Sequence, residues 1–167
     1  VRSLGEYSVV RFPRQRLSAR ALKDFSARFG ELEINVANAY QEPGVPEVMI
    51  LSNIVAHGKP IGLADAGQGW HTDMSYSEVI AFANVLYGIE IPQRHAQPLG
   101  ATEFSDMHAA YADLPADLKQ RLDGMTVRHD LNKFWQAMRN KGSARPPLTA
   151  ARGLPYESLV LAAMLTE

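Results

Sequence analysis

Residues 69–76 read GWHTDMSY. They close a stretch carrying four glycines, residues 56–69 (AHGKPIGLADAGQG), and open onto the apolar run VIAFANVLYGIEI, residues 79–91. In an extended segment residues i and i+2 project from one face, so the imidazole of His71 and the carboxylate of Asp73 converge on a point. An imidazole nitrogen and a carboxylate oxygen suit Fe(II), Mn(II) or Zn(II). Two His and one carboxylate on an octahedral face mark the non-haem Fe(II) oxygenases. The tripeptide alone leaves two readings open. With five His in the chain, an H-x-D arises by chance in roughly one such chain in four. Asp73 could equally accept a structural hydrogen bond near His71 at a strand end.

The flanks give the motif its setting. A glycine-rich loop as long as 56–69 is uncommon inside a domain and often functional. The run from Val79 to Ile91 reads as one long strand ended by Pro92, and Val48 to Val55 (VMILSNIV) as a strand buried on both faces. Toward the N-terminus, Tyr7 to Phe12 (YSVVRF) suits a short strand closed by Pro13. LSARALKDFSARFG (17–30) predicts an amphipathic helix, with Ser18 as N-cap, Leu22, Phe25 and Phe29 on one face, and Gly30 just past its end. Beyond residue 100, GATEF is strand-like and Ser105 is placed to cap a short helix through Tyr111. Pro115 fits the first turn of a second helix with Leu118 and Leu122 inward, ending at Gly124. MTVRH (125–129) reads as a strand, and Asp130 as the cap of a helix with Phe134 and Met138 on one face. The stretch after Gly142 is loop-like, and ESLVLAAMLTE (157–167) reads as a short apolar helix. Strands interrupted by helices, without regular βαβ alternation, predict α+β, or a β-barrel carrying helical insertions.

Composition narrows the chemistry. The 167 residues are 46% hydrophobic and 21% charged, enough for a core in one domain. A formal net charge of −1 argues against nucleic acid or an anionic membrane as partner. The absence of cysteine excludes disulfides, thiolate zinc sites, iron–sulfur ligation and a Cys nucleophile. No apolar run approaches the roughly 18 residues of a membrane span. The opening VRSLGEYSVV has no signal-peptide apolar region, so a cytoplasmic location is expected. A metal-dependent hydrolase is disfavoured, since no His/Glu pair has ligand spacing such as H-E-x-x-H.

Six segments carry a wider likeness: FSARFGELE (25–33), VMILSNI (48–54), GWHTDMSY (69–76), LYGIEIP (86–92), GATEFSDMHAAYADLPADLKQRLDG (100–124) and VRHD (127–130). In these, and in their order, the chain resembles the taurine dioxygenase (TauD/TfdA) family of Fe(II)- and 2-oxoglutarate-dependent dioxygenases. The resemblance implies a mainly β or α+β fold, a double-stranded β-helix (jelly-roll) with helical insertions. It implies Fe(II) as metal and 2-oxoglutarate as co-substrate, with O2 and a small, anionic organic substrate hydroxylated as succinate and CO2 are released. His71 and Asp73 then correspond to two of the three iron ligands, and Thr102 to the threonine that helps hold the 2-oxoglutarate carboxylate. Substrate-facing positions of the family correspond to Asn35, Asn38 and Gln68. Phe104 stands at a position that is aromatic in relatives and is a candidate wall of the site, although a buried Phe is the commoner reading. Members that select taurine carry asparagine four positions before the first ligand, where this chain has Gly67, which speaks against taurine.

The family's second His ligand and its carboxylate-gripping Arg lie in later segments of the form HP-x-x-x-THP…GR, which nothing here matches. His57, His95, His108 and His129 are poor substitutes, and His129 in particular suits a structural hydrogen bond. Arg145 and Arg152 could face 2-oxoglutarate, although arginines in a polar loop are usually solvated. The expectation is therefore a truncated or frame-shifted family member: residues 1–147 a partial dioxygenase domain, incomplete in its β-helix, and 148–167 a tail unlike the family. Exposed strand edges would favour self-association into a homo-oligomer. The rival expectation is a catalytically inactive remnant serving as an interaction or assembly module.

Overall fold

The computed structural model describes residues 2–35, 38–67, 69–77, 79–143, 145–147 and 157–161, the last five and Asn38 by backbone alone. In chain order the elements are α1 (Arg2–Tyr7), α2 (Ala19–Ser26), β1 (Gln41–Glu42), β2 (Val45–Met49), β3 (Val55–Ala56) and β4 (Lys59–Pro60). There follow β5 (Gln93–Arg94), β6 (Gln97–Pro98), α3 (Met107–Ala112), α4 (Ala116–Leu122), β7 (Thr126–Asp130), α5 (Leu131–Asn140) and β8 (Glu157–Leu161). They divide into two compact units. One comprises Val1–Arg16, Leu86–Thr126 and Leu161–Glu167, and the other Leu17–Val85 and Val127–Val160.

The second unit carries the core. Every buried large apolar side chain among the described residues, namely Tyr40, Leu63, Met74, Leu131 and Trp135, belongs to it. Helix α2 begins where Ser18 accepts from the amide of Ala21 at 3.2 Å. It continues as a 3-10 turn, Ala27–Phe29, to Gly30 at φ +149°. Phe25 and Phe29 meet edge to face at 5.5 Å, as the helical spacing predicts. α2 packs on β2, where Lys23 pairs with Glu47. The Lys23 hydrogen bond holds the Glu47 carboxyl below its ordinary value. β1 and β2 form an antiparallel hairpin, register Glu42↔Val45 and Gln41↔Met49 with a bulge between. α5 is capped by Asp130, which accepts from the Lys133 amide.

Several sequence expectations give way. Tyr7–Phe12 is no strand: α1 ends at Tyr7, Ser8 turns left-handed at φ +58°, and its amide bonds to Leu4 O at 2.8 Å. A helix closes its hydrogen bonds locally, whereas a strand needs a partner. The long strand over Val79–Ile91 is absent for the same reason. No strand pairing among the described residues includes that run, and Val79 stays 78% and Ile89 88% exposed. The 48–55 strand is broken, β2 stopping at Met49 and Leu51 making a single parallel bridge to Leu63. The loop 56–69 contains all but the first residue of a hairpin, β3 turning through His57-Gly58 into β4. GATEF forms no strand, and α3 is capped by Asp106 instead of Ser105. The Asp106 carboxylate accepts from His108 and Ala109, two otherwise orphan amides of the first turn. On α5 the buried positions are Leu131 and Trp135, with Phe134 half exposed. Residues 157–161 are a strand paired with β7, not a helix; residues 162–167 lie outside the described residues.

The expected β-helix is not seen as a closed barrel among the described residues, whose pairings are four two-stranded sheets. No helix among them is long and apolar enough to cross a membrane. One hairpin in the first unit makes a test. β5 and β6 join through His95 (φ +51°) and Ala96 (φ +60°), both left-handed without glycine. Such a conformation costs an L residue about 1–2 kcal/mol, part of which glycine returns in unfolded-state entropy. Ala96→Gly should therefore raise stability by about 0.5–1 kcal/mol, read as a shift of the urea midpoint at constant slope.

Candidate metal centre

The loop entering the H-x-D motif is stapled before it reaches His71. Leu63 N donates to Ile50 O at 3.0 Å, and Ser52 N to Leu63 O at 3.2 Å. Gly62 permits that approach, because a Cβ there would lie 2.8 Å from Ile50 O and Ser52 N. The chain then passes through two left-handed glycines, Gly67 at φ +76° and Gly69 at φ +84°.

His71 and Asp73 converge as the spacing predicts, although in a turn over Asp73–Tyr76 and not in a regular strand. His71 Nε2 stands 3.2 Å from Asp73 Oδ1, with the two side chains 51% and 54% exposed. His71 Nδ1 lies 2.9 Å from the carbonyl of Gly69. A carbonyl only accepts, so Nδ1 carries the proton, and in the neutral ring Nε2 presents its lone pair. Asn84 Nδ2 donates to Asp73 Oδ2 at 2.8 Å, which orients the carboxylate and leaves Oδ1 toward the imidazole. With the ring neutral, two acceptor atoms face one another, an arrangement that a cation between them stabilises; with the ring protonated, Nε2 donates to Oδ1 directly. Donors about 2.1 Å from one ion and at right angles lie about 3.0 Å apart, close to the observed separation. A ligating imidazole whose other N–H is held by a backbone carbonyl, and a ligating carboxylate held by an amide, is the usual supporting pattern of metal ligands. His71 and Asp73 thus supply two donors of the kind a divalent metal takes.

The turn is held from below. Met74 sits left-handed at φ +58°, a costly conformation for a side-chain-bearing residue. Its side chain is buried and its thioether accepts from the Tyr76 hydroxyl at 3.1 Å. His129 of β7 meets the Ser75 hydroxyl at 3.1 Å, so its structural hydrogen bond is present.

The other sequence candidates are placed less tellingly. Thr102 and Phe104 belong to the first unit, where Thr102 is exposed and Phe104 is 60% exposed instead of buried. Asn35 is half-buried ahead of the 3-10 turn Asn38–Tyr40, and Gln68 lies outside the described residues. His57 and His95 occupy hairpin turns and His108 the first turn of α3. No group of three His, Asp or Glu with ligand geometry occurs among the described residues.

Sequence reasoning missed two features. Asn84 had a signal, an amide set inside the apolar run. Arg145 and Asp65, 80 residues apart, had none. Arg145, expected to be solvated, is only 7% exposed; Arg152 lies outside the described residues. Arg145 Nε donates to both Asp65 oxygens at 3.1 and 3.2 Å, and its NH2 nitrogen is 3.0 Å from Oδ1. Ser143 adds a 2.6 Å hydrogen bond to Oδ2. Burial pushes the Asp65 carboxyl up, but the Arg145 and Ser143 hydrogen bonds and the Arg145 charge outweigh it and leave it below its ordinary value.

A paired imidazole and carboxylate with held outer atoms defines a candidate non-haem metal centre. The profile of the taurine catabolism dioxygenase TauD, TfdA family matches residues 1–152, and the chain belongs to that family. It is similar to pentalenolactone F synthase of Streptomyces arenae, 35% identical over 113 residues, 67% of this chain and 37% of that protein. It is also similar to the alpha-ketoglutarate-dependent 2,4-dichlorophenoxyacetate dioxygenase of Burkholderia sp. (strain RASC), 33% identical over 137 residues, 75% of this chain and 44% of the relative. A third relative, the (S)-phenoxypropionate/alpha-ketoglutarate-dioxygenase of Sphingobium herbicidovorans, is 31% identical over 127 residues, 76% of this chain and 42% of its own length. The chain matches between 36% and 47% of the length of such relatives. No solved structure gives a significant match.

Proposed function

We propose that the protein is an Fe(II)- and 2-oxoglutarate-dependent dioxygenase that hydroxylates a small, anionic organic substrate, releasing succinate and CO2. The observation that carries the reading is the 3.2 Å approach of His71 Nε2 to Asp73 Oδ1, with Nδ1 held by Gly69 and Oδ2 by Asn84. His71 and Asp73 would hold the metal, and Thr102 would donate to a 2-oxoglutarate carboxylate. Asn35, Asn38, Gln68 and Phe104 are the substrate-facing candidates. Iron with 2-oxoglutarate supplies the oxidising power from O2. The protein's own part is to fix the imidazole tautomer, hold the carboxylate oxygen toward the ring nitrogen and leave both open to ligands. Phenoxy-carboxylates of the kind named for two relatives are the substrates to try first.

In this reading residues 1–147 form the dioxygenase portion, a double-stranded β-helix in architecture, and 148–167 are a tail unlike the family in sequence, of which 157–161 pair with β7. The family's second His and its Arg have no match in these 167 residues. The setting is cytoplasmic, with a small molecule and O2 as partners and neither nucleic acid nor membrane. Anaerobic addition of Fe(II) and then 2-oxoglutarate should produce a visible charge-transfer band, and O2 should then release succinate. Neither band nor succinate would remove the enzymatic reading.

A second reading, an inactive family member working as an interaction or assembly module, is favoured by one observation. Large apolar side chains are exposed in each unit, Val79 and Phe82 in one and Leu86 and Ile89 in the other, and exposed apolar patches commonly mark interaction sites. Sedimentation of the protein at increasing concentration checks it: a purely monomeric species speaks against self-assembly.

Asn84→Ala supplies a graded test of the site. Loss of an outer partner of a ligand costs about 10–100-fold in metal affinity, so Fe(II) or Co(II) titration should show a loss in that range. Unchanged affinity would mean that the Asn84–Asp73 bond does not orient a ligand.

A further inference from the structure

The segment that presents His71 is anchored at its two ends. Gly67 and Gly69 have left-handed backbones with no neighbour within 4 Å of where a Cβ would stand, and Trp70 is 71% exposed. The carbonyl of Gly69 is the acceptor for His71 Nδ1, so the placement of Gly69 decides which nitrogen the imidazole turns toward Asp73. Downstream the anchor is buried Met74. Upstream it is Asp65, four residues before Gly69.

Asp65 is gripped by more than a surface pair. Arg145 binds both carboxylate oxygens, reaches the Asp65 carbonyl at 3.3 Å, and sits over the rings of Trp135 at 4.8 Å and Phe134 at 5.4 Å. Trp135 is buried on α5, and its indole N–H donates to Pro146 O at 2.6 Å. Ser143 accepts from the Arg145 amide at 3.3 Å while donating to Asp65. A planar guanidinium stacked on aromatics and engaged through its fork has little freedom left. Buried pairs of this kind add little net stability over apolar packing, and their best-attested use is to fix one arrangement.

We propose that Asp65 and Arg145 are a positioning pair: they anchor the loop so that Gly69 captures His71 Nδ1, keeping Nε2 aimed at Asp73. The consequence for metal binding rests on the iron-site reading above, but the effect on the ring does not require metal.

The test compares wild type with Asp65→Asn, Arg145→Lys and the double variant, each labelled with 15N-histidine and held at about pH 8.5. Without metal, wild-type His71 should give the nitrogen shifts of a fixed Nδ1–H tautomer. In the variants these should move toward the average of the two tautomers, while exposed His95 in its hairpin turn stays unchanged. Co(II) affinity should fall about 10-fold, and by the same factor in the double variant as in the singles, since the two residues act as a unit. Unchanged His71 shifts in a variant whose circular dichroism is native overturn the proposal. Should Arg145→Lys fail to fold, Asp65→Asn, which keeps the volume and an acceptor, carries the test. A wild type that binds no Co(II) but shows the tautomer change sinks the metal reading and supports the positioning pair. Normal Co(II) binding with no tautomer change does the reverse.

Discussion

Replacing His71 or Asp73 by alanine should lower Fe(II) affinity by more than about 100-fold and abolish the charge-transfer band, with folding stability nearly unchanged. The size follows from rank. Losing an outer partner already costs about 10–100-fold, and each of these residues would supply a donor atom itself. The small effect on stability follows from exposure: with the side chains 51% and 54% exposed, truncation opens no cavity, and surface changes usually stay within about 0.5 kcal/mol. This pairing of outcomes separates the two meanings that the tripeptide leaves open. If Asp73 merely accepted a structural hydrogen bond, Asp73→Ala would loosen the 69–77 segment and leave metal uptake as it was. The ordering matters too, with His71→Ala and Asp73→Ala both worse than Asn84→Ala. Retained succinate formation in either alanine variant, measured against the intact protein, would sink the ligand assignment.

What could be read from the sequence was what depends on neighbours along the chain. Ser18 capping α2, Asp130 capping α5, the Phe25–Phe29 contact and the convergence of His71 with Asp73 all involve residues within four positions of one another. The strands misread at Tyr7–Phe12 and Val79–Ile91 share the opposite property. Their β-branched and aromatic content says only that they suit a pleated, half-buried surface, and the partner that makes a strand is not in the pattern. Asp65 and Arg145 show the same limit for polar groups: a carboxylate in a glycine-rich loop and an arginine beside two prolines look solvated until the chain brings them together across 80 residues. The family likeness reached further than local physics because it carries such long-range partners implicitly. Thr102 came from the likeness alone, as no property of GATEF singles it out.

Arg145→Ala should damage the second unit about as much as truncating a core side chain, lowering stability by about 3 kcal/mol. Removing one member of a buried pair leaves the other without its partner, and that cost dominates the lost attraction. Arg145 is 5% exposed at its side chain and Asp65 21%, so water can rescue the orphaned carboxylate only in part, which places the loss at the low end of the range for buried pairs. The stacking on Trp135 and Phe134 is lost as well. Acid should reproduce part of this effect. The Asp65 carboxyl titrates below its ordinary value in the folded chain, so the folded state binds its proton less readily than the unfolded state does. The stability it contributes is complete above the unfolded pKa, about 3.9, and is lost as pH falls through the folded value. Urea unfolding of wild type and Asp65→Asn from pH 7 downward should give two curves that are separated at neutral pH and draw together below about pH 4. Curves that stay parallel across that range would mean that the Asp65 charge contributes nothing to folding, and that the fork of Arg145 is satisfied as well by a neutral amide.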